Sequence, residues 1–136
     1  MAKASVNPFK FQYAAKFICT VHIQGTSQAD PAFLPGAYQT IVNLHNPGQT
    51  TNRYRMKIAH PGGISAWISG SLKYDEVARV ACPDIDKFHL PLIHGFEGFL
   101  VIESAQQLDV SAVYLAGPVG GPVSSIDVEP VGERKI

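Results

Sequence analysis

The longest alternating stretch of the chain, from Phe9 to Ile23, most constrains the fold. Its even-numbered positions are mostly polar, whereas its odd-numbered positions are apolar or small: Phe9, Phe11, Tyr13, Ala15, Phe17, Cys19, Val21 and Ile23. A period of two indicates a β-strand, because successive side chains of a strand point to opposite faces. A strand with one aromatic-rich face needs a second layer to cover that face. The stretch therefore predicts an all-β, layered domain.

Further strand-like runs follow, separated by turn sequences such as Asn46-Pro47-Gly48 and His60-Pro61-Gly62-Gly63. Helical periodicity is absent, and about seven or eight strands fit into the chain, close to the number in an immunoglobulin-like domain. We therefore predict a single antiparallel β-sandwich over residues 1–136, either immunoglobulin-like or jelly-roll-like. Immunoglobulin ancestry is not predicted, because Trp67 lies too far beyond the first cysteine, Cys19.

Charge is sparse and balanced, since charged residues make up 16% of the chain and the formal net charge is +0. Without a basic excess, we expect neither nucleic acid nor an anionic membrane as the main partner. No apolar run approaches the roughly 20 residues of a membrane-spanning helix, so we expect no membrane insertion. Residues 1–6 lack the apolar core of a secretion signal, which predicts a cytoplasmic location, or an extracellular one if a leader has been removed.

Short motifs along most of the chain resemble those of a known group of proteins. They are Tyr13-Ala14-Ala15-Lys16-Phe17-Ile18-Cys19, Pro35-Gly36-Ala37-Tyr38, Val42-Asn43-Leu44-His45-Asn46-Pro47, Val101-Ile102-Glu103-Ser104, Leu108-Asp109-Val110-Ser111-Ala112-Val113-Tyr114 and Ser125-Ile126-Asp127-Val128-Glu129. In these motifs the chain resembles a family of small bacterial β-sandwich proteins, which implies that fold but no activity and no functional residues. Its order of strands is also similar to that of the sensory rhodopsin transducer family, tetrameric β-sandwich proteins, and this likeness of pattern implies no residue roles.

The first strand predicts self-association. At about 3.3 Å per residue it is roughly 50 Å long, more than a compact sandwich of this size needs. We therefore expect residues 1–13 to include a projecting arm in which Phe9, Phe11 and Tyr13 pair with a neighbouring subunit. Near-zero net charge also favours association between copies. The expected partner is the protein itself.

The two cysteines, Cys19 and Cys82, have two interpretations. They form a disulfide if the fold brings their Cα atoms within about 4.4–6.8 Å of each other. Otherwise they are buried free thiols that behave as small apolar side chains.

A basic strip is predicted on the third strand, where Arg53, Arg55 and Lys57 share the outward side. Such a strip could bind a phosphate, a carboxylate or an anionic polymer, or its charges could serve to block edge pairing. Asp127 and Glu129 share one side of the last strand. The acidic and basic strips could pair within the sheet or between subunits.

Trp67 lies in a Gly-framed segment, Ile64 to Ile68. It is either an interface anchor, because Trp is enriched at binding hot spots, or part of a strand that covers the core.

Sequence motifs of enzymes are missing, including a phosphate-binding loop and a nucleophile elbow. We predict a non-enzymatic structural or binding module that self-assembles through strand edges, with no metal and no cofactor. One alternative is a small-molecule or anion-binding module that uses the basic strip. Another is a metal-dependent hydrolase built from two histidines and two acids whose spacing matches no established metal site: Asp84, Asp86, His89 and His94.

Overall fold

The protein was analysed as a computed structural model, which describes residues 7–90 and 95–136. This part of the chain contains ten strands and a 3-10 helix (Cys82–Phe88) that follows the sixth strand. The strands are β1 (Phe11–His22), β2 (Gly36–His45), β3 (Asn52–His60), β4 (Gly63–Ile64), β5 (Ile68–Leu72), β6 (Val77–Val80), β7 (Gly95–Ser104), β8 (Asp109–Gly117), β9 (Ser125–Pro130) and β10 (Glu133–Lys135).

The strands form one sheet in the order β4-β3-β7-β1-β2-β8-β9. Three further strands extend it, since β5 pairs with β3, β6 with β2 and β10 with β1. Every pairing is antiparallel, which confirms the predicted all-β, antiparallel class. The described part holds more strands than the sequence predicted, because β4 and β10, of two and three residues, are too short to show alternation.

Strand β1 joins the two halves of the sheet. One of its edges pairs with β7 from Phe11 to Thr20. The other edge is divided, with β10 opposite Phe11–Tyr13 and β2 opposite Cys19–His22. Pairing within the chain therefore explains the length of β1, because one of its edges pairs with a different strand at each end.

One hydrophobic cluster receives side chains from both halves of the sheet. Odd positions of β1 from Tyr13 to Cys19 are buried, as the alternation predicts. The same hydrophobic cluster contains Ile58 of β3 and Leu100 of β7 from one half of the sheet, together with Leu44 of β2 from the other half. Burial of these side chains against one another is the main force that holds the two halves together.

The predicted projecting arm is not found where the structure describes it. Phe11 and Tyr13 are paired on both edges, with β7 on one side and β10 on the other. They therefore offer no free edge to a neighbouring subunit. Phe9 precedes the strand, and residues 1–6 of the predicted arm lie outside the described residues.

Tyr13 fastens the chain end to the core. Its hydroxyl accepts a hydrogen bond from the Leu108 backbone N–H (2.8 Å) and donates one to Oε1 of Glu133 (2.7 Å). Burial, and then the hydrogen bond to Glu133, raise the pKa of Tyr13 above its ordinary value, so the hydroxyl remains a donor. This contact explains why the short strand β10 can hold its place beside β1.

Two fully buried asparagines donate side-chain hydrogen bonds to backbone carbonyl groups of other segments. The side-chain amide of Asn46 donates to the carbonyls of Thr50 and Leu72, both at 2.9 Å. That of Asn52 donates to the carbonyl of Gln106 at 2.8 Å. Loss of the Asn46 side chain would remove this donor from the buried Leu72 carbonyl, and an unsatisfied buried group costs about 1–3 kcal/mol. The Gln106 carbonyl also accepts a hydrogen bond from Ser104 Oγ.

Cys19 and Cys82 are joined by a disulfide, with their Cα atoms 5.6 Å apart. The bond connects the buried face of β1 to the first residue of the 3-10 helix, which follows β6. It closes a loop with a sequence separation of 63 residues and so restricts the unfolded chain.

We predict that reduction lowers the free energy of unfolding by about 4 kcal/mol, because a loop of this length gains considerable conformational entropy when the crosslink is removed. The measurement is urea unfolding with and without dithiothreitol. The Cys19→Ala/Cys82→Ala variant is the control, and its unfolding midpoint should not respond to the reductant. Equal midpoints for the oxidised and reduced wild-type protein would contradict the prediction.

Candidate functional surface

The predicted basic strip and two of the predicted interface aromatics come together on the outward face of β3. The Arg55 guanidinium lies 4.1 Å from the centroid of the Trp67 ring and 4.7 Å from that of the Phe9 ring. The Lys57 ammonium lies 4.4 Å from the Trp67 centroid. We call these four residues the Arg55 cluster. Cation–π contacts of this kind stabilise by about 0.5–1 kcal/mol at exposed sites and by more where water is excluded.

A buried carboxylate holds the centre of the Arg55 cluster. Arg55 donates from Nε (2.9 Å) and Nη2 (2.6 Å) to Oε1 of Glu103, a residue that is only 7% exposed. The second oxygen of Glu103 accepts a hydrogen bond from Gln12 Nε2 at 3.0 Å. These contacts follow from strand register, since Arg55 and Gln12 lie directly opposite Glu103 on its two neighbouring strands. The charge of Arg55 is therefore already compensated within the chain.

The strip that was predicted to bind anions thus divides into two parts. Arg55 is bound to Glu103 and partly covered by aromatic rings, so it serves the structure of the sheet. In the described part of the chain, Arg53 and Lys57 form no ion pair, and Arg53 is exposed. Trp67 is half-buried against this strip rather than buried in the core.

The basic character extends across the outward face of β1, β3, β7 and β10. Strand alternation and register place more cations than carboxylates on this face. The cations are Lys10, Lys16, Arg53, Arg55, Lys57 and Arg134, and the carboxylates are Glu97 and Glu103. Phe99, which is 44% exposed, lies near Lys16 on the same face. Because the whole chain is neutral, its acidic residues are concentrated elsewhere.

Strand β9 carries an acidic strip and an apolar strip on its two faces. All six of its residues are exposed, and within the described residues it pairs only with β8. Asp127 and Glu129 point to the side of Tyr114, whose hydroxyl donates to Oε1 of Glu129 at 2.7 Å. On the opposite side Ile126 and Val128 are 65% and 61% exposed. A strand with two exposed faces and a free edge buries little of its own apolar surface.

The acidic strip does not meet the basic strip within the chain. Strands β9 and β3 lie towards opposite ends of the sheet. None of the ion pairs among the described residues involves Asp127 or Glu129. The pairing within the sheet that the sequence allowed is therefore not found among the described residues.

A cleft of about 380 Å³ lies beside the disulfide, where the ends of β1 and β2 meet the 3-10 helix. Tyr38 and Ile85 contribute to its walls, and Asp86 supplies a carboxylate. These side chains suit no particular reaction, and we assign the cleft no chemistry.

The described residues of the alternative metal site take part in local contacts around the 3-10 helix. Asp84 accepts hydrogen bonds from the Ala81 N–H (2.8 Å) and from Lys87 Nζ (3.0 Å), and the first of these contributes most to lowering its pKa. His89 ends the 3-10 helix in the left-handed conformation, with φ of 54°. His94 lies outside the described residues. No group of three or more metal-binding side chains occurs among residues 7–90 and 95–136, and no helix there is long and apolar enough to cross a membrane.

His45 binds two carboxylates at the end of β2. Its Nδ1 lies 2.7 Å from Oδ2 of Asp109 and its Nε2 lies 2.9 Å from Oδ1 of Asp75. Both ring nitrogens must carry a proton to donate to both carboxylates, so this geometry favours the imidazolium. The hydrogen bond to Asp109, and then that to Asp75, raise the pKa of His45 above its ordinary 6.5.

We predict that the contacts of His45 stabilise the folded state most below pH 6.5, the ordinary value of its pKa. A raised folded-state pKa means that this contribution is lost as the pH rises through that higher value. The measurement is an NMR titration of the His45 ring, together with unfolding at several pH values. Asp109→Asn should move the pKa of His45 downwards, whereas Asp86→Asn serves as a control that leaves it unchanged. An unshifted His45 in the wild-type protein would refute the assignment.

Two residues that matter here were missed by the sequence analysis. Glu103 organises the Arg55 cluster, and Gln12 completes it. The available signal was a single carboxylate near the end of an otherwise apolar run, Phe99 to Ser104. A carboxylate in such a strand is stable only with a cation or several donors beside it.

Comparison with known proteins gives evidence on the fold. No family model matches the chain, and no curated protein matches it. The structure is similar to the crystal structure of Thermotoga maritima 1070, with a TM-score of 0.57 and 10% sequence identity. The similarity covers 93% of this chain and 96% of that chain. At this identity the likeness shows a shared fold alone.

Proposed function

We propose that the protein is a non-enzymatic structural module, a β-sandwich that assembles with copies of itself through strand β9. The observation that carries this proposal is that all six residues of β9 are exposed, beside an edge that pairs with no strand of the described residues. An edge of this kind presents a row of free N–H and C=O groups that another strand can bind. The sandwich is supported by the common core that both halves of the sheet share.

Apolar burial supplies the driving force for this assembly. Ile126 and Val128 project from the same side of β9, and their neighbours across the ladder are Leu115 and Val113. Full burial of an isoleucine or valine side chain contributes about 1.5–3 kcal/mol. Burial of these two side chains would add to the backbone hydrogen bonds of the paired strands in favouring association. The balanced net charge of the chain offers little general repulsion between copies.

We predict that the wild-type protein has a native mass that is a multiple of 14.7 kDa. Val128→Lys should shift it towards the single-chain mass, because a charge on the apolar side of β9 cannot be buried without a partner. The measurement is light scattering coupled to size exclusion, over a range of protein concentrations.

Val77→Lys is the matched control for that experiment. Val77 is 59% exposed, similar to Val128, but it lies on β6. The control should keep the mass of the wild type. A wild-type protein that remains at 14.7 kDa at high concentration would rule out self-assembly as the function.

A further inference from the structure

We propose that β9 of one copy adds to the free edge of β5 in a second copy, with Asp127 and Glu129 facing the basic strip around Arg53. This inference rests on the proposed function and names the surface that receives β9. It joins two features that form no ion pair among the described residues: the acidic side of β9 and the exposed cation at Arg53.

Length and charge favour β5 as the acceptor. Among the described residues, the other short strands with a single neighbour are β4, β6 and β10, which have two, four and three residues. Strand β5 has five residues, close to the six of β9, and contains no proline. Its neighbour β3 carries the basic strip, whereas β6 has one arginine, Arg79. Addition of a strand to an exposed edge is a common mode of recognition.

The side chains of β5 match those of β9 on both faces of the sheet. On the outward face Ser71 lies opposite Arg53 and Ser69 lies opposite Arg55. Small serines leave room for acidic side chains on a docked strand to reach the cations of β3, about 10 Å away at two strand spacings. Asp127 and Glu129 are two positions apart, as Arg53 and Arg55 are, so both strips repeat at about 6.6 Å.

The other face is apolar on both strands. Ile68 and Leu72 of β5 point towards the core, where Leu72 is buried and Ile68 is half-buried. With its acids turned outward, a docked β9 places Ile126 and Val128 on this same side, because neighbours in a strand alternate between faces. Polar residues then lie beside polar residues and apolar beside apolar.

Pairing of β9 with a second β9 does not give this match. In a symmetric antiparallel pair of fully overlapped β9 strands, equivalent faces come together, and Asp127 lies opposite either Asp127 or Glu129 of the other copy. Like charges in directly opposite positions destabilise a strand pair. The acids thus select against the symmetric contact and favour the basic acceptor. Because donor and acceptor edges differ, the contact is head-to-tail and builds a ring or a filament.

Charge reversal on each side tests the pairing. Arg53→Glu and Asp127→Lys change exposed residues that form no hydrogen bond through their side chains within the described part. Each single variant should raise the dissociation constant of the assembly by about tenfold or more, since like charges then face each other. In the register that places Asp127 beside Arg53 and Glu129 beside Arg55, the Arg53→Glu/Asp127→Lys variant should restore assembly, because the two reversed charges attract each other again. Lys73→Glu, an exposed charge in the turn after β5, is the control and should assemble as the wild type does.

Sedimentation velocity at low and high salt measures these effects, and thermal unfolding of each variant shows whether it is folded. If a reversed variant does not fold, Arg53→Gln and Asp127→Asn should weaken assembly in the same direction, by a smaller factor. Single variants that assemble as the wild type does, or a double variant no better than the singles, would overturn the pairing with β5. If at the same time Val128→Lys still dissociates the assembly, the proposed function stands with a different acceptor; a monomeric wild type refutes both.

Discussion

The divided pairing of β1 is the constraint on which the rest of the structure depends. One edge of this strand is bound to β7, whereas the other is bound to β10 at its start and to β2 at its end. Two groups of strands are therefore joined through one strand, and both groups contribute side chains to the same hydrophobic cluster. The disulfide from Cys19 fixes the end of β1 to the 3-10 helix, on the side where β2 begins.

Buried polar groups give this arrangement its specificity. Asn46 and Asn52 satisfy the carbonyls of three turns, and Tyr13 holds β10 through Glu133. On the outward face, Glu103 fixes the position of Arg55 by accepting its hydrogen bonds. Each of these groups would be costly to bury without its partner, so alternative registers of the strands are disfavoured. All six residues of β9, in contrast, are exposed.

The sequence predicted the strands whose alternation is long and regular. The buried positions of β1 could be read directly, because one apolar side chain at every second position indicates which face meets the core. The projecting arm was a wrong expectation for Phe11 and Tyr13, since β10 has three residues and no readable period. His22 shows a similar limit: it lies on the polar side of β1, yet its ring stacks on Phe33 at 4.5 Å. The loop that covers it has no regular pattern. The Arg55 cluster shows the same limit. It brings Phe9, Arg55 and Trp67 together from distant segments of the chain. Their contact depends on strand register, which the local sequence pattern does not reveal.

The central claim is that the outer edge of β9 is an interface between copies, and hydrogen–deuterium exchange tests it most directly. The amides of β9 that point away from β8 should exchange rapidly in dilute protein and become protected as the concentration rises. Protection should appear over the same range in β5 and should be lost together with that of β9 at high salt. If the outward amides of β9 exchange rapidly at every concentration, this edge is solvent-exposed and the claim is wrong.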